Sequence, residues 1–149
     1  LIKAKAPRTA KTFNGNSTHE DNELRYWSIC SNQSFGNTRV NDCLFDEEIP
    51  VDEDGYFTIA ISKPEDRPRN AIKDCGLAWL PIADDGDGVF DNDVAIVQFR
   101  HMLAQDDFPY SIQSVENQAD VERVMGEYYP RGRYLMPNQV ESFFPCPID

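Results

Sequence analysis

Residues 56–62 read Tyr56-Phe57-Thr58-Ile59-Ala60-Ile61-Ser62, and this stretch decides the fold class. Large apolar side chains occupy every second position, so Phe57, Ile59 and Ile61 share one face of a strand. The preceding Asp52-Glu53-Asp54-Gly55 has the composition of a tight turn, because Asp and Gly tolerate positive φ. A metal site at these carboxylates is the alternative, and the turn is the favoured interpretation.

Five other segments have the composition of short strands, and they are Leu1–Ala6, Arg25–Cys30, Val40–Phe45, Leu77–Pro81 and Val94–Leu103. Polar or proline-rich loops are expected at Thr9–Leu24 and Pro64–Asn70. Helical spacing occurs near the end of the chain, at Gln118–Met125 before Gly126 and at Asn138–Phe144. The pattern predicts an all-β fold, a single antiparallel β-sandwich over residues 1–149 with one or two short C-terminal helices.

Composition excludes some classes of partner. The chain has 149 residues, 26 of them acidic and 14 basic, which gives a net charge of −12. Nucleic-acid backbones and anionic membrane surfaces are bound through clustered Lys and Arg, so neither is an expected partner. No apolar run is longer than that at Val94–Val97, which is far shorter than the roughly 20 residues of a transmembrane helix, so no membrane insertion is expected.

The chain has four cysteines, at positions Cys30, Cys43, Cys75 and Cys146. No two of them have C-x-x-C spacing, and four cysteines allow three disulfide pairings. Cys30–Cys43 with Cys75–Cys146 is favoured, because the first two lie on neighbouring strands joined by a Gly-containing loop. Four free thiols in a cytosolic protein are the alternative. Disulfides predict an exported protein, which is secreted, on the cell surface or periplasmic. Asn16-Ser17-Thr18 and Asn32-Gln33-Ser34 fit the glycosylation sequon, which matters only in a eukaryotic secretory route.

Several segments, in this order, resemble a family of uncharacterised bacterial secreted proteins. They are Arg25-Tyr26-Trp27-Ser28, Asp52-x-Asp54-Gly55-Tyr56-Phe57-Thr58-Ile59, Pro64-Glu65-Asp66-Arg67-Pro68, Trp79-Leu80-Pro81, Arg100-His101-Met102-Leu103 and Tyr129-Pro130-x-Gly132-x-Tyr134. More distantly, the Arg-Tyr-Trp, Asp-Gly-x-x-Thr-Ile and Trp-Leu-Pro elements resemble the C-terminal β-sandwich domain of two-domain bacterial proteins of unknown function.

This resemblance covers roughly residues 25–135. It implies a jelly-roll-like sandwich at the C-terminal end of a longer exported precursor, whose N-terminal domain would be a partner. It also implies two disulfides, and it carries no activity. The sequence begins with Leu1 and not with Met, which fits the expectation that the chain is a processed product or a fragment.

The acidic stretch Asp84-Asp85-Gly86-Asp87-Gly88-Val89-Phe90-Asp91-Asn92-Asp93 resembles the Asp-x-Asp-Gly-x-x-Asp core of extracellular calcium loops. Closely spaced carboxylates supply the oxygens that Ca²⁺ requires, and glycine lets the chain curl around the ion. The predicted ligands are Asp85, Asp87, Asp91 and Asp93 with the carbonyl of Val89. A solvated acidic loop is the alternative, since Ala83 stands where a further Asp is expected and the closing Glu of an EF-hand is missing.

No catalytic motif emerges from the sequence. Asn32-Gln33-Ser34-Phe35-Gly36 lacks the first glycine of a nucleophile elbow, and His101 lies in a strand where a structural role is favoured. Trp27 and Trp79 could stack on sugars, but core packing is the favoured role. The predicted function is a non-catalytic binding, adhesion or structural module with a protein or carbohydrate partner. The alternative is a hydrolase-type enzyme domain whose active site a missing N-terminal domain completes.

Overall fold

A computed structural model describes residues 1–15 and 21–146 of the chain. Within those residues seven strands form, β1 (Ile2–Lys5), β2 (Leu24–Asn32), β3 (Val40–Phe45), β4 (Tyr56–Ser62), β5 (Ala78–Pro81), β6 (Ile96–Ala104) and β7 (Arg131–Gly132). Two short α-helices are present as well, α1 (Val121–Met125) before β7 and α2 (Pro137–Phe143) after it. Single 3-10 turns occur at Thr12–Asn14, Pro64–Asp66, Lys73–Cys75, Ile112–Ser114, Gln118–Asp120 and Gly126–Tyr128.

The six predicted strands are present, while β7 was not predicted because two residues carry no periodicity. The predicted helix Gln118–Met125 is divided into a 3-10 turn and α1, and the second predicted helix corresponds to α2. Gly55 has a φ of 85°, and the backbone N–H of Tyr56 donates to Asp52 Oδ1 at 2.8 Å, so the turn at 52–55 is confirmed. The sequon at Asn16–Thr18 lies outside the described residues.

The strands form two sheets, sheet A in the order β5-β4-β1-β7 and sheet B in the order β3-β2-β6. Every pair is antiparallel except β4 and β5, which run parallel, so the expectation of a wholly antiparallel sandwich is wrong at this pair. The segment between them contains Pro64 and Pro68, which have no backbone N–H to donate in a hairpin. It instead crosses over through two 3-10 turns, as a parallel connection requires.

The hydrophobic core lies between the two sheets. Trp27 of sheet B stacks on Phe57 of sheet A with ring centroids 4.8 Å apart, and the edge of Phe99 packs against Trp27 at 5.7 Å. Ile29 and Ile59 are fully buried beside them. The apolar face predicted for residues 56–62 therefore lies in the core. The core role predicted for Trp27 is also confirmed, since this side chain is 1% exposed.

Sheet A is also covered on its outer face. Residues 133–146, here named the C-terminal segment, lie over β4 and β5, where Val140 of α2 packs with Ala60, Ala71 and Leu77 in a second, smaller core. Ala60 is buried although it stands on the face opposite Phe57. Strand β4 is consequently covered on both sides, which the alternating pattern by itself does not predict.

Both favoured disulfides are confirmed. Cys30 and Cys43 are direct cross-strand partners in β2 and β3, with their Cα atoms 4.0 Å apart. The Cys75–Cys146 bridge joins the end of the C-terminal segment to the turn before β5. In the part of the chain that the structure describes, no helix is long and apolar enough to cross a membrane.

Candidate functional site

A groove of about 510 Å³ lies on the outer face of sheet A, beside the C-terminal segment. Its walls come from β1, β4, β7 and the residues around α2. The lining residues are Leu1, Ile2, Lys3, Ala4, Tyr56, Thr58, Glu127, Tyr129, Arg131, Arg133, Leu135, Phe143 and Phe144. A volume of this size falls within the range of ligand pockets, about 300–1,000 Å³.

Strand alternation and register build one side of the groove. Lys3 is the direct partner of Thr58 on β4 and of Arg131 on β7, so these three residues form one row across sheet A. Side chains in such a row point to the same face of a sheet. Ala4 and Phe57, one position along, point instead into the core between the sheets. The row therefore brings a hydroxyl, an ammonium and a guanidinium beside one another, with Thr58 only 5% exposed.

The C-terminal segment lines another part of the groove, with the apolar Leu135, Phe143 and Phe144 beside the charged Arg133. Polar contacts and a disulfide help to hold this segment against the fold. The side-chain amide of the buried Asn70 donates to the carbonyl of Phe144. Arg69 forms a two-pronged contact with Glu141 at 2.8 and 3.1 Å, which lowers the pKa of that carboxyl to about 2. The Cys75–Cys146 disulfide closes the end.

A hydrogen-bonded cluster orders the rim of the groove at Tyr56. Its hydroxyl donates to Glu127, which raises the pKa of Tyr56 and lowers that of Glu127. The ammonium of Lys5 contacts the other oxygen of Glu127 at 3.2 Å. The Lys3 ammonium lies 5.0 Å from the centre of the Tyr56 ring and 3.4 Å from Asp52. Both carboxylate oxygens of Glu127 are thus occupied by neighbours.

Arg131 and Arg133 differ in their partners. Arg131 forms an exposed ion pair with Glu122 at 3.3 Å, and its guanidinium lies 5.9 Å from the ring of Tyr129. The backbone of Arg133 pairs with Leu1 through hydrogen bonds of 2.9 and 3.0 Å. Among the described residues the Arg133 guanidinium has neither an ion pair nor a hydrogen bond. The backbone of this arginine is anchored while its charge is free to meet a ligand.

The acidic loop at 84–93 distributes its carboxylates over several partners. Asp87 Oδ1 accepts the backbone N–H groups of Val89, Phe90 and Asp91 at 2.7–3.1 Å, and these bonds lower the pKa of Asp87. The carboxylate of Asp91 accepts the N–H of Asp93 at 2.9 Å. This loop is therefore folded around its own side chains.

Two of the other predicted ligands contact distant residues. Asp93 pairs with Lys63 at 2.9 Å, and Asp85 accepts from Gln33 at 2.7 Å with Arg39 at 4.0 Å. No cation occurs in sequence between Lys73 and Arg100, so folding supplies the neutralising charges from elsewhere. Over residues 1–15 and 21–146 no group of three or more acidic, His or Cys side chains is arranged to hold a metal ion. Calcium binding by this loop stays a prediction.

The glycines of the acidic loop behave as expected. Gly86 and Gly88 have φ values of 57° and 77°, a conformation that side chains with a Cβ rarely adopt. A Cβ at Gly86 would lie 2.1 Å from the carbonyl oxygen of Asp91. Both positions therefore favour glycine over a residue with a side chain.

His101 is a structural residue of the interior. Its side chain is 5% exposed, and Nδ1 accepts the backbone N–H of Ile112 at 3.2 Å. Nε2 is buried and has no hydrogen-bond partner within the described part of the chain. Burial lowers the pKa of His101 to about 4, so the ring is neutral at pH 7. These contacts fit the structural role that its place in a strand indicates.

The remaining candidate residues are also engaged. Trp79 donates from Nε1 to Ser62 at 3.1 Å, and the guanidinium of Arg67 covers its ring at 4.3 Å. Ser34 accepts the N–H of Asn37 within a turn. Neither tryptophan offers a free platform for a sugar ring. The sequence does not predict the groove, because its lining residues extend from Leu1 to Phe144 and no local pattern connects them. The register of β1 is the signal that could have indicated it.

Comparisons with protein-family models, with curated proteins and with solved structures find nothing that matches this chain. The function is therefore inferred from the geometry of the molecule itself.

Proposed function

We propose that this chain is a non-catalytic, exported binding module, and that the groove on the outer face of sheet A holds its ligand, an oligosaccharide. The row of Thr58, Lys3 and Arg131 beside an apolar wall carries the proposal. Such a surface combines hydrogen-bond donors for hydroxyl groups with apolar and aromatic faces on which sugar rings pack. Phe143, which is 64% exposed, supplies one such face.

Two observations support the non-catalytic and exported character. His101 lies in the interior and does not line the groove, so nothing in the described residues favours the enzyme alternative there. Two disulfides with no free cysteine in residues 1–15 and 21–146 are typical of an oxidising compartment. A secreted, surface-attached or periplasmic location is therefore part of the proposal.

The resemblance stated above extends the proposal to the whole protein. We infer a jelly-roll-like sandwich that forms the C-terminal domain of a longer precursor. Calcium bound by the acidic loop would stabilise this domain and would not form part of the ligand groove, because none of the predicted metal ligands lines that groove.

A saccharide titration with two matched variants tests the binding role. Purified protein labelled with ¹⁵N is titrated with hexasaccharides, both neutral (cellohexaose, chitohexaose) and acidic (oligogalacturonate, a sulfated cello-oligosaccharide). The expected result is that at least one probe shifts the amide signals of groove residues. Phe143→Ala should weaken that probe about three- to tenfold, the value of one aromatic contact.

Phe35→Ala is the control, since Phe35 is also exposed, at 83%, and does not line the groove. It should leave binding unchanged. If none of the saccharides shifts the amide signals of groove residues, the binding role is refuted. Equal losses of affinity in Phe143→Ala and Phe35→Ala would refute it as well.

A further inference from the structure

We infer that the ligand of the groove is an acidic oligosaccharide, with its charge carried by carboxylates or sulfate esters. This inference rests on the proposed function and names the class of ligand. It begins with a charge contrast: the chain as a whole carries −12, yet of the four charged residues that line the groove three are cations. They are Lys3, Arg131 and Arg133, and the fourth is Glu127.

The single carboxylate of the groove does not cancel these cations. Both of its oxygens are occupied, one by the hydroxyl of Tyr56 and the other by Lys5, which lies outside the lining. Glu127 is therefore neutralised by a cation of its own. The three lining cations remain to be balanced by rim residues or by a ligand.

Lys3 and Arg131 have weak partners on the rim. The Lys3–Asp52 pair is 3.4 Å long with side chains 55% and 45% exposed, and the Arg131–Glu122 pair is similarly open. Exposed ion pairs of this kind contribute little to stability, so a ligand anion can replace the rim carboxylate at small cost. Arg133 has no rim partner to give up.

The anion is best carried by a saccharide. Arg recognises planar or tetrahedral oxyanions through paired N–H groups, which accounts for a carboxylate or a sulfate. The Phe143 side chain and the Tyr129 ring supply faces for the body of the ligand.

The contribution of the ligand's charge is tested with two probes that share one hexasaccharide backbone. Calorimetry compares hexagalacturonate with its fully methyl-esterified form, which keeps the rings and removes the charges. The acid is expected to bind at least tenfold more tightly than the ester, and its affinity should fall as NaCl rises from 50 to 500 mM, because salt screens exposed charges. A sulfated cello-oligosaccharide tested beside cellohexaose distinguishes sulfate from carboxylate as the preferred anion.

Two arginine variants assign the effect to the groove. Arg133→Gln should weaken the acidic probe about fivefold and leave the ester unchanged. Arg100→Gln is the matched control, an exposed arginine on β6 whose loss should change neither probe.

The outcomes separate the two proposals. Equal affinity for acid and ester, or equal effects of the two arginine variants, overturns the acidic ligand while the binding role survives. An absence of shifts with every saccharide overturns both. Tighter binding of hexaglutamate than of any saccharide overturns the assignment to sugars and points to an acidic peptide.

Discussion

Replacing both Cys75 and Cys146 by alanine removes the covalent link that closes the C-terminal segment. The bridge spans 71 positions of sequence, and the loop-entropy relation gives a stabilisation of about 4 kcal/mol for a loop of that length. We therefore expect the free energy of unfolding to fall by about 4 kcal/mol, a large share of the roughly 5–15 kcal/mol that stabilises a domain.

Cys30→Ala with Cys43→Ala is the matched control. This bridge closes only 13 positions, for which the same relation gives about 3 kcal/mol. Both variants are unfolded in urea at pH 7 and followed by the fluorescence of Trp27 and Trp79. Loss of the longer loop should cost more, because the relation gives about 4.4 against about 2.9 kcal/mol, a difference of about 1.5 kcal/mol.

Hydrogen exchange locates the effect. The backbone N–H of Phe144 bonds to the carbonyl of Val140 at the end of α2, next to the Cys75–Cys146 bridge. Loss of that bridge should speed the exchange of amides in residues 137–146 and weaken saccharide binding, because one wall of the groove is released. The control should leave both unchanged. A loss of stability below about 1 kcal/mol without faster exchange at α2 would refute the reasoning.

Three further predictions concern the interior and the acidic loop. Trp27→Ala removes the ring stacked on Phe57 and should cost about 3–5 kcal/mol in urea unfolding, whereas a cost under about 1 kcal/mol would contradict its central place in the core. Because the pKa of His101 is lowered to about 4 in the folded protein, the unfolded chain binds a proton more readily, and the free energy of unfolding should fall by about 3 kcal/mol as the pH drops from 6.5 to about 4. His101→Gln should remove this part of the pH dependence. If the free energy of unfolding of the variant and of the parent protein depends on pH in the same way, the prediction is wrong. Calcium at 100 times its dissociation constant should raise the free energy of unfolding of the chelator-treated protein by about 2.7 kcal/mol, and Asp87→Asn should abolish this gain. A melting temperature that millimolar calcium does not change would show that the segment is a solvated acidic loop without a bound ion.

Local chemistry predicts the strands of this protein well, because side-chain alternation and turn residues act over a few positions. Phe57 and Ile59 were assigned to the core face, and Gly55 was assigned to a turn, from neighbours within four residues. The parallel pairing of β4 and β5 was missed, since it depends on the path of the crossover. The burial of Ala60 was missed for a similar reason, because the chain that covers it lies about 80 residues away.

The acidic loop shows the same division within one motif. Its glycines predict the curled backbone that the structure contains, because positive φ is a property of single residues. Its charge balance could not be predicted, since Lys63 and Arg39 reach it only after folding.

By itself the sequence determined the strand positions, the favoured cysteine pairs and the acidic character of the chain. The strand positions and the Cys30–Cys43 pair follow from residue type and short-range spacing, and pairing those two cysteines leaves Cys75 with Cys146. Only the tertiary structure decided that Lys3, Thr58 and Arg131 form one row, and that Phe143 lines the same groove. A binding surface made from both ends of the chain depends on strand register and on the docking of the C-terminal segment, and neither is encoded in a local pattern.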